Sequence, residues 1–377
     1  MKIKTPGWKD AAALFVGCVV AAVIFEVFLR LYNPIHFTVR GDNITLPANE
    51  SFKIENPNIH NLDKLITVRR NSIGFRGAEP PANLTGYISI VAVGGSTTEC
   101  FYISDGKTWT DLLGDKLRNN FNHIWINNAG LAGHSTAGHY ILMKNYITRL
   151  RPKVALFLVG ANDIQKTGAS ADELKIVSKA TSLVNYLATK SETVYLLQNL
   201  YRYREAGKRH LYTEPFNVYE EKPLVITAPE MANLKQQAQM GHASALKAYG
   251  ERLNRLLDIT INSSIVPVLI TQPILYGNAI DNSSGVNLGT IKFGGNLNGE
   301  LMWHMIEMYN DVTRKTAVQR NVFIIDLSRE LSKDSSYYYD WLHYSNAGAV
   351  YIADIIYKDL CPFLREKYPE AATGKCP

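Results

Sequence analysis

The run Ile88-Ser-Ile-Val-Ala-Val-Gly-Gly-Ser-Thr-Thr98 decides how the chain is read. Ile88 to Val93 is short, rich in β-branched residues and nearly continuously apolar, as a strand buried on both faces of a parallel sheet must be. Gly94 and Gly95 then permit a tight turn, and Ser96 stands where a following helix would begin. A serine there has its own backbone N–H available to developing negative charge, which a helix N-terminus also favours.

Four more such runs follow: Ile124 to Asn127, Val154 to Val159, Ile265 to Thr271 and Val322 to Asp326. Helical patterns lie between them, at Trp109 to Leu117, Thr136 to Ile147, Glu230 to Leu257, Glu300 to Val318 and Asn346 to Leu360. The alternation predicts a three-layer α/β/α domain around a five-stranded, mainly parallel sheet. Ligands of such sheets bind outside the carboxyl ends of the strands, so polar residues there become candidates. The second run leads into Asn128-Ala129-Gly130-Leu131-Ala132-Gly133-His134, and the third ends in Gly160-Ala161-Asn162-Asp163. Before the last helix stands Asp340-Trp341-Leu342-His343. A carboxylate three residues ahead of an imidazole on a turn can accept its Nδ1–H and leave Nε2 to take a proton from a serine.

Four such blocks, in this order and each at a strand end, resemble those of the SGNH hydrolase superfamily, the GDSL esterases and lipases, whose sheet is flavodoxin-like. The resemblance covers about Ile88 to Leu364, and Asn71-Ser72-Ile73-Gly74-Phe75-Arg76-Gly77 is similar to a segment found in membrane-anchored bacterial members. Gly95 departs from the Asp of the Gly-Asp-Ser block, which bears on substrate rather than on the triad. The resemblance implies Ser96 as nucleophile, His343 as general base and acid, and Asp340 as the group that orients the imidazole. It assigns the oxyanion hole to the N–H groups of Ser96 and Gly133 and the side-chain amide of Asn162. The activity implied is cleavage of carboxylic esters, such as O-acetyl groups of a surface glycan, or of a lipid. Acyl transfer with the same triad and a non-catalytic binding module are the competing readings.

Other polar neighbours carry less. His134 and His139 read as packing or rim residues, Cys100 as packing, and Glu99 and Asp163 either as supports of the pocket or as caps and surface charges. Tyr337, Tyr338 and Tyr339 read as aromatic packing beside the triad acid. Neither a CxxC nor a Cys/His cluster with zinc spacing occurs, so no metal or cofactor is expected.

At the N-terminus, Ala11 to Phe25 is free of charge and the apolar run resumes after Glu26 to Leu29. A helix over that length reaches roughly 28 Å, close to the hydrocarbon thickness of a bilayer. Glu26 and Arg30 have i, i+4 spacing and can pair at the interface. Lys2, Lys4 and Lys9 favour leaving the leading end in the cytoplasm, with the rest of the chain outside, on the periplasmic side of a bacterial inner membrane. A cleaved signal peptide, a lipoprotein signal at Cys18 and a buried helix are the alternatives.

The expected organisation of the 377 residues is an anchor over 1–32, a stalk and lead-in over 33–86, and one hydrolase domain over 87–377 with an insertion around 165–230. Within that insertion Ala171 to Lys190 and Thr193 to Tyr203 read as helices, and Tyr201 to Pro223 as a solvated segment, a lid or a partner surface. The composition narrows the function classes. A mean hydropathy of -0.11 excludes a multi-span membrane protein. The net charge of +6 is too diffuse for nucleic acid, since three of the basic residues are the N-terminal lysines. Cys361 and Cys376 can pair in an exported domain, and two free thiols are as consistent with the spacing.

Overall fold

The computed structural model describes residues 7–32, 37, 39–41, 43–164, 166–167, 182–208 and 223–377. Six strands form the main sheet: Arg76–Gly77 (β1), Ile88–Gly94 (β2), Ile124–Asn128 (β3), Val154–Leu158 (β4), Val266–Ile270 (β5) and Phe323–Ile325 (β6). Their spatial order is β6-β5-β4-β2-β3-β1. Strands β2 to β6 are mutually parallel and coincide with the five apolar runs. The expectation of five strands needs one correction. Arg76 and Gly77 pair antiparallel with Asn128 and Asn127 and add a sixth, edge strand. Two residues are too few to show a periodicity, which is why the pattern missed it.

Residues of β2, β3 and β4 are buried throughout, which accounts for the nearly unbroken apolar composition of β2 and β4; β3 ends in Asn127 and Asn128, whose buried amides donate to the Ala78 and Thr98 carbonyls. The helices that cover them fall into two packed groups. Trp109–Arg118 packs with Asn346–Lys367, while Thr136–Leu142 and Gly299–Arg320 both pack with the 35-residue helix Ala228–Asn262. Capping sets where these helices start. Thr108 accepts the N–H of Asp111, and Ser345 accepts that of Gly348. On the last helix Ile352, Ile355, Ile356 and Leu360 form the buried stripe. The helix expected over Thr136 to Ile147 is α-helical to Leu142 and continues as a π-helical turn, Met143–Ile147. Beside the main sheet, Leu65–Arg69 pairs antiparallel with Ser51–Glu55. Cys361 and Cys376 form a disulfide that ties the C-terminal segment to the last helix.

The chain divides into two compact units, Leu46–Glu173 with Thr213–Pro377, and Met1–Thr45 with Leu174–Tyr212. The sheet belongs to the first. In the second, Trp8–Leu31 is one 24-residue helix, long and apolar enough to cross a membrane. Glu26 and Arg30 make the expected pair, at 2.9 Å. Helices Ser182–Lys190 and Glu192–Lys208 and the antiparallel pair Val39–Arg40 and Asn43–Ile44 belong to the same unit. Residues 168–181 and 209–222, which include the first part of the expected 171–190 helix and most of the Tyr201 to Pro223 segment, lie outside the described residues.

Candidate active site

Ser96 meets the Asp340/His343 pair, whose imidazole lies 247 residues further along the chain, at the carboxyl end of β2. The turn at Gly94-Gly95 places Ser96 at the first position of the helix Ser96–Glu99. Its Oγ lies 2.7 Å from His343 Nε2, and His343 Nδ1 lies 2.6 Å from Asp340 Oδ2. The other Asp340 oxygen accepts the N–H groups of Leu342 at 2.7 Å and His343 at 2.6 Å. This carboxylate is 2% exposed, so those donors replace water and fix its orientation. An ionised carboxylate only accepts, which puts the imidazole proton on Nδ1 and leaves Nε2 to accept from the Ser96 hydroxyl. Tyr339 closes the loop: its N–H donates to the His343 carbonyl, and its ring stacks on the imidazole with centroids 5.5 Å apart. Tyr337 and Tyr338 pack instead against Tyr351 and Tyr344.

Two of the three expected oxyanion donors, Ser96 and Asn162, line the same depression, and Gly133 immediately precedes His134, which lines it too. Among the described residues no oxygen accepts the N–H of Ser96 or of Gly133. Gly133 has φ of +75°, a conformation that a side chain would strain. Asn162 Nδ2 donates one hydrogen to the His134 carbonyl at 3.1 Å, which aims the amide and leaves its second hydrogen available. A Cβ on residue 95 would stand 2.4 Å from Asn162 Nδ2, so a glycine there admits the amide where an aspartate would crowd it. Ser96, Asn162, His134 and His139 line one narrow depression with a cavity volume of only about 10 Å³.

Much of the support was not apparent from spacing. Glu99 is buried, takes an ion pair from Arg70 at 2.5 Å and accepts the N–H of Ala132 at 2.8 Å, so it holds the loop that carries Gly133. Asp163 is buried and accepts from the Thr136 hydroxyl at 2.6 Å and from Arg252 at 2.9 Å, which pins the Gly160 to Asp163 turn to the long helix Ala228–Asn262. Gln272, just past β5, receives the Thr97 hydroxyl at 3.0 Å and donates to Tyr344. A polar pair, Thr271-Gln272, at the end of an apolar run was the only sequence signal for it. His134 and His139 are buried with rings 6.5 Å apart. Burial pushes the Cys100 thiol up to about 12, which keeps it protonated and unreactive at neutral pH. No group of three or more His, Cys, Asp or Glu able to hold a metal occurs among the described residues.

Residues 92–350 match the model of the GDSL-like lipase/acylhydrolase family. No curated protein matches the chain by sequence. Among solved structures, the acetyl xylan esterase AlAXEase is 14% identical, with 71% of this chain and 98% of that one covered and a TM-score of 0.39. Axe2, an acetylxylan esterase from Geobacillus stearothermophilus, is 12% identical over 72% and 93%, with a TM-score of 0.41. TesA is 12% identical over 73% and 98%, with a TM-score of 0.39.

Proposed function

Because the chain belongs to the GDSL-like lipase/acylhydrolase family, we propose that it is a serine esterase that removes short acyl groups through an acyl-Ser96 intermediate. The 2.7 Å contact between Ser96 Oγ and His343 Nε2, continued to Asp340, carries this reading. His343 takes the Ser96 proton as Oγ attacks the ester carbonyl, and Asp340 stabilises the imidazolium that forms. The oxyanion lies toward the N–H groups of Ser96 and Gly133 and the amide of Asn162. Collapse breaks the C–O bond, and His343 returns its proton to the departing alkoxide. Water, deprotonated by the same imidazole, then attacks the acyl carbonyl; the acid is released and Ser96 regains its proton. The narrowness of the depression beside Ser96 argues for a small acyl group rather than a long chain.

The helix Trp8–Leu31 serves as a membrane anchor in this reading, with Lys2, Lys4 and Lys9 cytoplasmic and the hydrolase domain on the other side, acting on O-acyl esters of a surface polysaccharide. The full chain in detergent is expected to hydrolyse p-nitrophenyl acetate, and Ser96→Ala to lose at least about 10⁴-fold in kcat. Equal rates for the two proteins sink the mechanism. Sidedness is read from a C-terminal alkaline phosphatase fusion in bacterial cells, which is expected to be active; an inactive fusion that is made in full refutes export.

A further inference from the structure

The unit that contains the anchor helix holds features that the reaction does not use. Ser182–Lys190 and Glu192–Lys208 pack face to face, burying Ala188, Tyr195 and Leu196, with Gln198 Nε2 donating to Asn185 Oδ1 at 2.7 Å. Each also carries an apolar stripe on its outer side. Leu183, Tyr186 and Leu187 stand at i, i+3 and i+4 on the first helix, and Leu197, Leu200 and Tyr201 repeat that spacing on the second. All six are 40% to 61% exposed. From Ser182 to Tyr201 the only charged residues are Lys190 and Glu192, both next to the turn between the helices. Glu192 is paired with Arg40.

That turn is fastened to the anchor helix. The Glu26 carboxylate accepts from Ser191 Oγ at 2.8 Å and from the N–H groups of Glu192 at 3.0 Å and Thr193 at 2.9 Å, which begin the second helix. Arg30 Nη2 donates at 2.6 Å to the carbonyl of Lys190, which ends the first. An anion thus meets a helix N-terminus and a cation a helix C-terminus, each of them the favourable pairing. Glu26 lies five positions before Leu31, so the fastening point sits only about 7 Å inside the end of the apolar helix. An element lying in the membrane interface buries its apolar face about 5–10 Å into the headgroup and acyl boundary.

We infer that the Ser182–Lys208 helix pair is an interfacial membrane element, with the stripes Leu183/Tyr186/Leu187 and Leu197/Leu200/Tyr201 contacting the lipid bilayer. The inference rests on the anchor reading given above. The bilayer is the occupant because the fastening through Glu26 and Arg30 sets the pair at the depth of the span's end, and because the two stripes hold no charge. It also accounts for a glutamate inside an apolar helix. Glu26 takes three donors from the helix pair besides Arg30, so its charge does not face hydrocarbon alone.

The experiment uses the full chain with Cys18→Ser, which removes the exposed free thiol; Cys100 is buried. Single substitutions Leu183→Cys and Leu197→Cys are labelled with an environment-sensitive fluorophore and reconstituted into phosphatidylcholine/phosphatidylglycerol vesicles with brominated acyl chains. Ile24→Cys, within the anchor helix, and Val318→Cys, exposed on the hydrolase unit, serve as references, and thermal melts establish that each variant is folded. Positions 24, 183 and 197 are expected to lose about half of their emission, as labels at interfacial depth do, while position 318 keeps its own. Quenching at 24 with none at 183 and 197 overturns the inference, leaves the anchor reading standing, and assigns the stripes to water or a protein partner. Absence of quenching at 24 overturns both.

Discussion

Glu99→Ala tests whether the loop bearing Gly133 is held by the buried carboxylate. Two contacts are lost together: the ion pair with Arg70, whose partners are both 7% exposed, and the acceptor for the Ala132 N–H. Among the described residues, the Arg70 side chain then keeps a long bond to the Gly74 carbonyl, at 3.3 Å, and no other. Removing one member of a buried pair costs about 3–5 kcal/mol, and orphaning a buried N–H about 1–3 kcal/mol. The two losses share one site and do not add, so the net expectation is about 4 kcal/mol. At roughly 2–4 °C per kcal/mol for a domain of this order, Tm falls by about 10 °C. Ala132 precedes Gly133 directly, and with its amide released the proposed oxyanion donor drifts. The kcat for p-nitrophenyl acetate is then expected to fall toward the roughly 10²-fold loss of one oxyanion donor. KM stays within about threefold, since the donor acts on the transition state. A double change, Arg70→Met with Glu99→Leu, removes both charges and is expected to recover most of the stability without recovering kcat. Kinetics are measured well below the melting transition of each variant. A kcat for Glu99→Ala within about threefold of the parent refutes the positioning role.

Other consequences are separately measurable. Asp340→Asn leaves the contact geometry intact but reverses the tautomer, so steady-state kcat is expected to fall about 10⁴-fold with little change in melting. Gly95→Ala puts a methyl group against Asn162 Nδ2, and kcat is expected to fall on the order of 10²-fold, as for loss of one donor. Reduction of the Cys361–Cys376 bond opens a loop with a sequence separation of 15 and is expected to lower stability by about 3 kcal/mol, measured by denaturant titration with and without reductant. At Asp326 burial favours the neutral acid, but the hydrogen bonds from Arg314 and Thr271 outweigh it and hold the carboxyl below its usual range. Its stabilising contribution is therefore complete above about pH 4 and lost as pH falls through the lowered value. Asp326→Asn is expected to flatten that acid limb in urea titrations at stepped pH.

The parts of the fold that the sequence revealed are those in which burial is written into consecutive residues. Strands β2, β4 and β5 are covered on both faces, so Ile88 to Val93, Val154 to Leu158 and Val266 to Ile270 had to be apolar almost throughout. Ser96, Gly133, Asn162 and the Asp340/His343 pair were legible as candidates because each stands at a strand end or a turn with a characteristic local spacing. Arg76–Gly77 left no pattern, and the partners of Glu99, Asp163 and Gln272 left none either. Arg70 lies 29 residues before Glu99, Arg252 lies 89 after Asp163, and Thr97 lies 175 before Gln272.

Apart from the edge strand Arg76–Gly77, local sequence thus determined which segments form the main sheet and its covering helices, and which side chains could carry acyl chemistry. Tertiary structure decided what those side chains lean on. The Glu26 carboxylate is the clearest case: its i, i+4 partner Arg30 could be read from spacing, whereas its other donors lie 165 to 167 residues away. The physical reason is that a backbone period reports local geometry and burial, while a buried charge is satisfied by whichever donor the packed chain brings within 3 Å, at any separation.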